Sequence, residues 1–205
     1  MKDKVVIYVH GKGGSVSESR TYEPLFAECD VTGLDYKTST PRETGKEIND
    51  AVTKLKAEYE SVILIANSVG AFFSMHAGID GMLSEAYFIS PVVDMEKLIL
   101  GMMAHENVTE EELKEKKTVK TSFDEDLSYE YLLYVREHPV KWNVKTHIAY
   151  GEHDSFTDIE TVKKFADNHS ADLSVMKGGE HWFHTEEQME FLFEWIRKSR
   201  RRNDD

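Results

Sequence analysis

Short unbroken apolar runs alternate along this chain with longer stretches in which apolar residues recur every three or four positions. Val5 to Val9 and Val62 to Ala66 are runs of the first kind, and Ala86 to Pro91, Thr146 to Tyr150 and Leu173 to Met176 read as further strands. They are rich in β-branched and aromatic residues, and such runs predict strands covered on both faces, as in parallel sheets. Val31 to Tyr36 reads as a weaker strand between the first two. The intervening stretches carry helix signals. A helix is expected around Tyr22 to Glu28. Thr40-Pro41-Arg42-Glu43 combines an N-cap, a proline at the first helical position and a capping-box acid, ahead of an apolar stripe of Ile48, Val52, Leu55 and Tyr59. A small-residue helix follows over 71–78. Thr157 with Glu160 and Thr185 with Gln188 read as two further capping boxes, the second opening a helix with Met189, Leu192, Phe193 and Ile196 on one face.

Strands that alternate with helices are joined by right-handed crossovers and run parallel, so their C-terminal ends lie along one edge of the sheet. Open sheets of this kind hold their ligands at that edge. The loops expected there are His10-Gly11-Lys12-Gly13-Gly14, Asn67-Ser68, Gly151-Glu152-His153-Asp154 and Gly178-Gly179-Glu180-His181-Trp182-Phe183-His184. Residues 92–142 break the alternation. A methionine-rich segment from Met95 to Met103, a charged helix with a Thr109-to-Glu112 capping box and an aromatic segment from Tyr129 to Tyr134 read as inserted helices. Methionines at helical spacing serve either as packing or as the adaptable face of a lid over an apolar group.

Ser68 stands at the corner between the third strand and a helix, with Ala66 two residues before it and Gly70 two residues after. A serine on such a sharp strand-to-helix turn is held with its hydroxyl exposed, and small flanking residues let strand and helix approach. The alternative is an ordinary helix N-cap. The glycines of the loop at 10–14 let the backbone aim N–H groups at a common point, as an oxyanion hole requires, or simply make a turn. The spacings of the phosphate-cradling glycine motifs are absent.

Composition narrows the field of partners. The chain has 205 residues and a formal net charge of −13, enough for one domain with a substantial core and the wrong sign for a nucleic-acid partner. The basic run Arg197 to Arg202, followed by Asn203-Asp204-Asp205, matches the negative end of the last helix. Cys29 is the only cysteine, which excludes an intrachain disulfide and favours a reducing compartment. The segment after Met1-Lys2 is too short in apolar residues for a signal peptide, and no run is long enough to span a membrane. A soluble cytoplasmic protein, without a membrane partner, is expected; oligomeric state is not legible.

The motifs at 10–14, 66–70, 151–154 and 179–183, in the order serine, acid, histidine, resemble the oxyanion loop, nucleophile elbow, acid loop and histidine loop of the α/β-hydrolase superfamily, in particular its small lid-bearing serine hydrolases. The elbow reads A-x-S-x-G, with Ala66 in place of the first glycine. The resemblance spans almost the whole chain. It implies a single α/β domain with a six-stranded parallel sheet in the order 2-1-3-4-5-6, flanked by helices, with residues 92–142 as a helical lid. It further implies Ser68 as nucleophile, His181 as general base and then acid, and Asp154 as the orienting carboxylate. The backbone N–H groups of Val69 and Lys12 would form the oxyanion hole. Met95, Ile99, Met102 and Trp182 are expected to line the substrate pocket. Glu152 and Asp158 are rival acids and His184 a rival base, while His10 is expected to bond within its own loop. His10, His153, His181 and His184 have no recognisable metal-ligand spacing, and no metal or cofactor is implied. The function expected is hydrolysis of a small-molecule carboxylic ester or thioester through an acyl-enzyme. Amide, peptide or lactone cleavage would use the same triad, and a non-catalytic ligand-binding protein on the same fold is the alternative from another class.

Overall fold

Six parallel strands make the central sheet of the computed structural model, which describes residues 3–122 and 125–201. They are β1 (Lys4–Val9), β2 (Asp30–Leu34), β3 (Ser61–Asn67), β4 (Glu85–Ile89), β7 (Thr146–Gly151) and β8 (Asp172–Met176). Their order is β2-β1-β3-β4-β7-β8, which is 2-1-3-4-5-6 when only the sheet's own strands are counted. Every pairing in this sheet is parallel. Val5 to Val9, Val62 to Ala66 and Ala86 to Ile89 are buried throughout, the condition for strands covered on both faces. Met1-Lys2 and the end of the basic run, Arg202 with Asn203-Asp204-Asp205, lie outside the described residues.

The helices α1 (Pro41–Glu58), α2 (Val69–Met75), α6 (Ile159–His169) and α7 (Glu186–Arg201) accompany the sheet. The Thr40 hydroxyl accepts the Glu43 N–H at the start of α1, as its capping signal predicts, and Ile48 and Val52 are fully buried. Thr185 and Gln188 bond reciprocally at the start of α7, whose Leu192, Trp195 and Ile196 enter the core. Arg200 in the basic run bonds the Leu25 carbonyl and the Glu28 carboxylate, with its guanidinium over the Phe26 ring.

Three local expectations need correction. The helix expected over Tyr22 to Glu28 is a 3-10 segment at Val16–Leu25, because the glutamate three residues after Ser15 takes the Ser15 N–H and starts the turn earlier. The cap of α6 is Asp158 rather than Thr157: Asp158 accepts the Thr161 N–H, while Thr157 is committed to Asp154 and to Tyr150. The insertion also contains strands. Beside α3 (Met95–His105), α4 (Glu110–Lys116) and α5 (Tyr129–Glu137) it holds a two-stranded antiparallel sheet of β5 (Thr118–Lys120) and β6 (Asp126–Ser128).

The chain divides into two compact units, residues 1–93 with 141–205 and residues 94–140. The second unit is fastened by Arg136 on α5, which reaches Glu96 on α3 at 2.6 Å and Glu110 on α4 at 2.7 and 3.0 Å. Met95, Ile99 and Met103 in this unit are buried and Met102 is half-buried.

Candidate active site

β3 runs through a fully buried Ala66 to Asn67 and delivers Ser68 to the sheet edge in a conformation that L-residues rarely adopt, φ 53° and ψ −120°. The surroundings hold it there. Its N–H donates to the Ile89 carbonyl at 3.0 Å, and its own carbonyl accepts from Ala71 and Val92. Such strain persists only where neighbouring structure over-determines it. The side chain caps nothing, so the N-cap reading of Ser68 does not hold. Glycine is required at position 70, where a Cβ would stand 2.5 Å from the His10 carbonyl oxygen and 2.7 Å from that of Val9. A Cβ on Gly11 would lie 3.1 Å from the Ser68 Cβ, so the loop after β1 passes directly beside the serine.

That loop turns tightly: the Gly14 N–H donates to the Gly11 carbonyl at 3.1 Å, and Gly13 takes φ 73°. Lys12 is at the exposed tip, and Val69 is the first residue of α2. His10 bonds the Gly11 carbonyl through Nδ1 at 2.8 Å, within its own loop as expected. Its ring stacks on Tyr36 at 4.3 Å, and the Tyr36 hydroxyl donates to the His10 carbonyl at 2.9 Å. Deeper in β1, the Tyr8 hydroxyl donates to Glu18 at 2.5 Å, and Glu18 accepts the Ser15 N–H with its other oxygen. Burial, reinforced by Tyr22 and Glu18, pushes the Tyr8 phenol well up, so it remains a donor.

The loops after β7 and β8 are stitched together. The His153 N–H donates to the Gly179 carbonyl at 2.7 Å and the Gly178 N–H donates to the Glu152 carboxylate at 2.9 Å. These bonds carry His181 to Asp154. Asp154 Oδ2 lies 2.7 Å from His181 Nδ1, and Oδ1 accepts the N–H groups of Phe156 at 2.8 Å and Thr157 at 3.0 Å. The Asp154 side chain is wholly inaccessible. A carboxylate accepting this many donors is held in one orientation. On the far side of the ring, His181 Nε2 lies 2.8 Å from Ser68 Oγ.

The structure therefore brings Ser68, His181 and Asp154 into one continuous hydrogen-bonded line. It keeps the rivals elsewhere. Glu152 is bonded to Gly178, Asp158 caps α6, and His184 bonds the Trp182 carbonyl through Nδ1 at 2.7 Å. Trp182 is 67% exposed and stacks on the His184 ring. Met95, Ile99 and Met102 belong to the other compact unit.

Two contributors were missed from the sequence. The Phe156 ring lies 4.6 Å from the His181 ring, and Tyr36 braces the His10 loop. The aspartate followed by free N–H donors two and three residues on is a recurrent local turn, so the hold of Phe156 and Thr157 on Asp154 had a legible signal. The Tyr36 contact spans 26 positions and had none.

No protein-family model matches the chain, and no curated protein matches it in sequence. Solved structures do match in shape. Est1E from Butyrivibrio proteoclasticus superposes with a TM-score of 0.76 at 16% identity, covering 97% of this chain and 87% of that one. Alpha/beta hydrolase domain-containing protein 10 from mouse gives 0.73 at 15%, covering 97% and 90%. A soluble variant of monoglyceride lipase from Saccharomyces cerevisiae gives 0.66 at 11%, covering 97% and 86%. With its strand order, its crossovers and these likenesses over nearly its full length, the chain has the α/β-hydrolase fold.

Proposed function

We propose that this protein is a serine hydrolase that cleaves a small-molecule carboxylic ester or thioester through an acyl-enzyme. The observation that carries the reading is the line Ser68 Oγ, His181 Nε2, His181 Nδ1, Asp154 Oδ2, with spacings of 2.8 and 2.7 Å, ending on a serine held at φ 53°. In the first step Ser68 Oγ bonds to the carbonyl carbon and its proton passes to Nε2. The carbon–oxygen or carbon–sulfur bond to the leaving group then breaks, and the Nε2 proton goes to the departing atom. Water attacks the acyl-serine with His181 as base, and the proton returns to Ser68 as the acid is released. Asp154 keeps Nδ1 protonated, which leaves Nε2 as the acceptor, and stabilises the imidazolium. The N–H groups of Val69 and Lys12 are proposed as oxyanion donors, each worth about 3 kcal/mol to the transition state.

A substrate contact from Trp182 is part of the same proposal. Among the described residues no helix is long and apolar enough to cross a membrane, and the lone Cys29 supports a cytoplasmic setting. The deciding experiment is intact-protein mass after incubation with a fluorophosphonate. One covalent adduct on the parent protein, absent from Ser68→Ala, is expected. An unmodified parent protein that also hydrolyses no ester or thioester overturns the reading in favour of a binding protein.

A further inference from the structure

Resting on that reading, we infer that Phe156 and Trp182 form the leaving-group side of the site and select esters whose alcohol portion is aromatic. Among the described residues, the two most exposed large apolar side chains are Trp182 at 67% and Phe156 at 57%; the Phe156 ring lies against that of His181, and Trp182 is the next residue in the chain after His181. Scattered exposed apolar residues are ordinary. An exposed ring laid on the imidazole of the proposed base is not, and each of the two rings has a partner, His181 for Phe156 and His184 for Trp182. The Phe156 N–H donates to the buried carboxylate of Asp154 and its ring rests 4.6 Å from the His181 ring at 50°. Trp182 follows His181 in the chain and stacks on His184 at 4.3 Å and 18°, while His184 Nδ1 donates to the Trp182 carbonyl. Aromatic surface already fixed in place loses little entropy when a ligand covers it.

The chemistry decides which part of the substrate meets them. Nε2 of His181 must donate its proton to the departing oxygen, so the alcohol portion lies against the imidazole as the carbon–oxygen bond breaks. The acyl portion is fixed by its bond to Ser68 Oγ. The Phe156 ring on His181, and with it Trp182 on the same loop as His181, therefore meets the group that leaves, in the step reported by kcat/KM, and not the acyl group that stays.

The test compares phenethyl butyrate with propyl butyrate, which share an acyl group and have alcohols of similar acidity. Wild-type protein is expected to favour the phenethyl ester in kcat/KM. Phe156→Ala and Trp182→Ala should each lower the ratio of the two kcat/KM values about three- to tenfold. His184→Ala, which frees the Trp182 ring, should lower it less. If the two esters decline in parallel in these variants, Phe156 and Trp182 only position His181 and the inference falls. A wild-type ratio near one overturns it equally. Fluorophosphonate labelling of the wild-type protein separates the two levels: labelling with an unselective ratio refutes this inference alone, whereas absence of both labelling and hydrolysis removes the hydrolase reading and the inference with it. Since both side chains are largely exposed, melting temperatures close to wild type are expected and check that the variants are folded.

Discussion

Two histidine–aspartate pairs lie at opposite ends of the same pair of strands. At the C-terminal ends of β7 and β8, His181 and Asp154 are 2.7 Å apart; near the N-terminal ends, His147 and Asp172 are 3.1 Å apart and are register partners. Burial is reversed between them. In the first pair the acid is inaccessible and the imidazole is 16% exposed; in the second the imidazole is 1% exposed and the acid 55%. The far nitrogen of His181 meets a serine hydroxyl, whereas that of His147 faces Glu85 at 3.8 Å and its ring stacks on Tyr87. Residue types alone do not make a relay. A buried, fully bonded acid that orients an imidazole whose far nitrogen meets a serine hydroxyl has the arrangement of a relay, while a buried imidazole behind a solvated acid packs.

The comparison can be broken most sharply at the serine. Ser68→Ala is expected to reduce hydrolysis by about 10⁴-fold or more with the melting temperature kept, as loss of a triad nucleophile does elsewhere. Asp154→Asn should lower kcat by about 10³- to 10⁴-fold through the wrong imidazole tautomer, and Asp172→Asn should leave the rate of ester hydrolysis unchanged. An equal loss in the two aspartate variants would erase the distinction drawn here. Gly70→Ala tests the frame rather than the relay. Its Cβ meets backbone that cannot yield cheaply, so denaturant unfolding should show a loss of about 1–3 kcal/mol. His147→Phe should act on stability alone, by about 1–2 kcal/mol in the same assay, because it exchanges a buried ring for one of similar size. At the small end, burial together with the Glu28 charge pushes the Cys29 thiol up to about 11, so the thiol is the stable form at pH 8. Reaction with a thiol reagent should then be slow at pH 8 and speed up as pH rises toward that value.

Much of the frame was legible because it depends on local pattern. The strands read from continuous apolar runs and the helix opened by Thr40 and Pro41 are where the spacing places them, and the four edge loops follow from the alternation. One misreading arose where two adjacent residues could cap the same helix. Thr157 looked like a cap, but Asp154 competes for its N–H, and Asp158 caps instead. The β5–β6 pair in the insertion is only three residues a side and leaves too short an alternation to distinguish from a loop.

What the sequence determined by itself is the order of elements and the residue types at the loops, since propensity, burial period and turn chemistry act over a few neighbouring positions. It placed Ser68, Asp154 and His181 on one edge without bringing them into contact. Only the tertiary structure decided that the loops after β7 and β8 are stitched by Glu152, Gly178 and Gly179, that Phe156 rests on His181, and that the His147 ring is buried near the opposite strand ends beside an exposed Asp172. Those outcomes depend on which groups lose their water and which bond first across 26 or more positions, and no short stretch of chain encodes that competition.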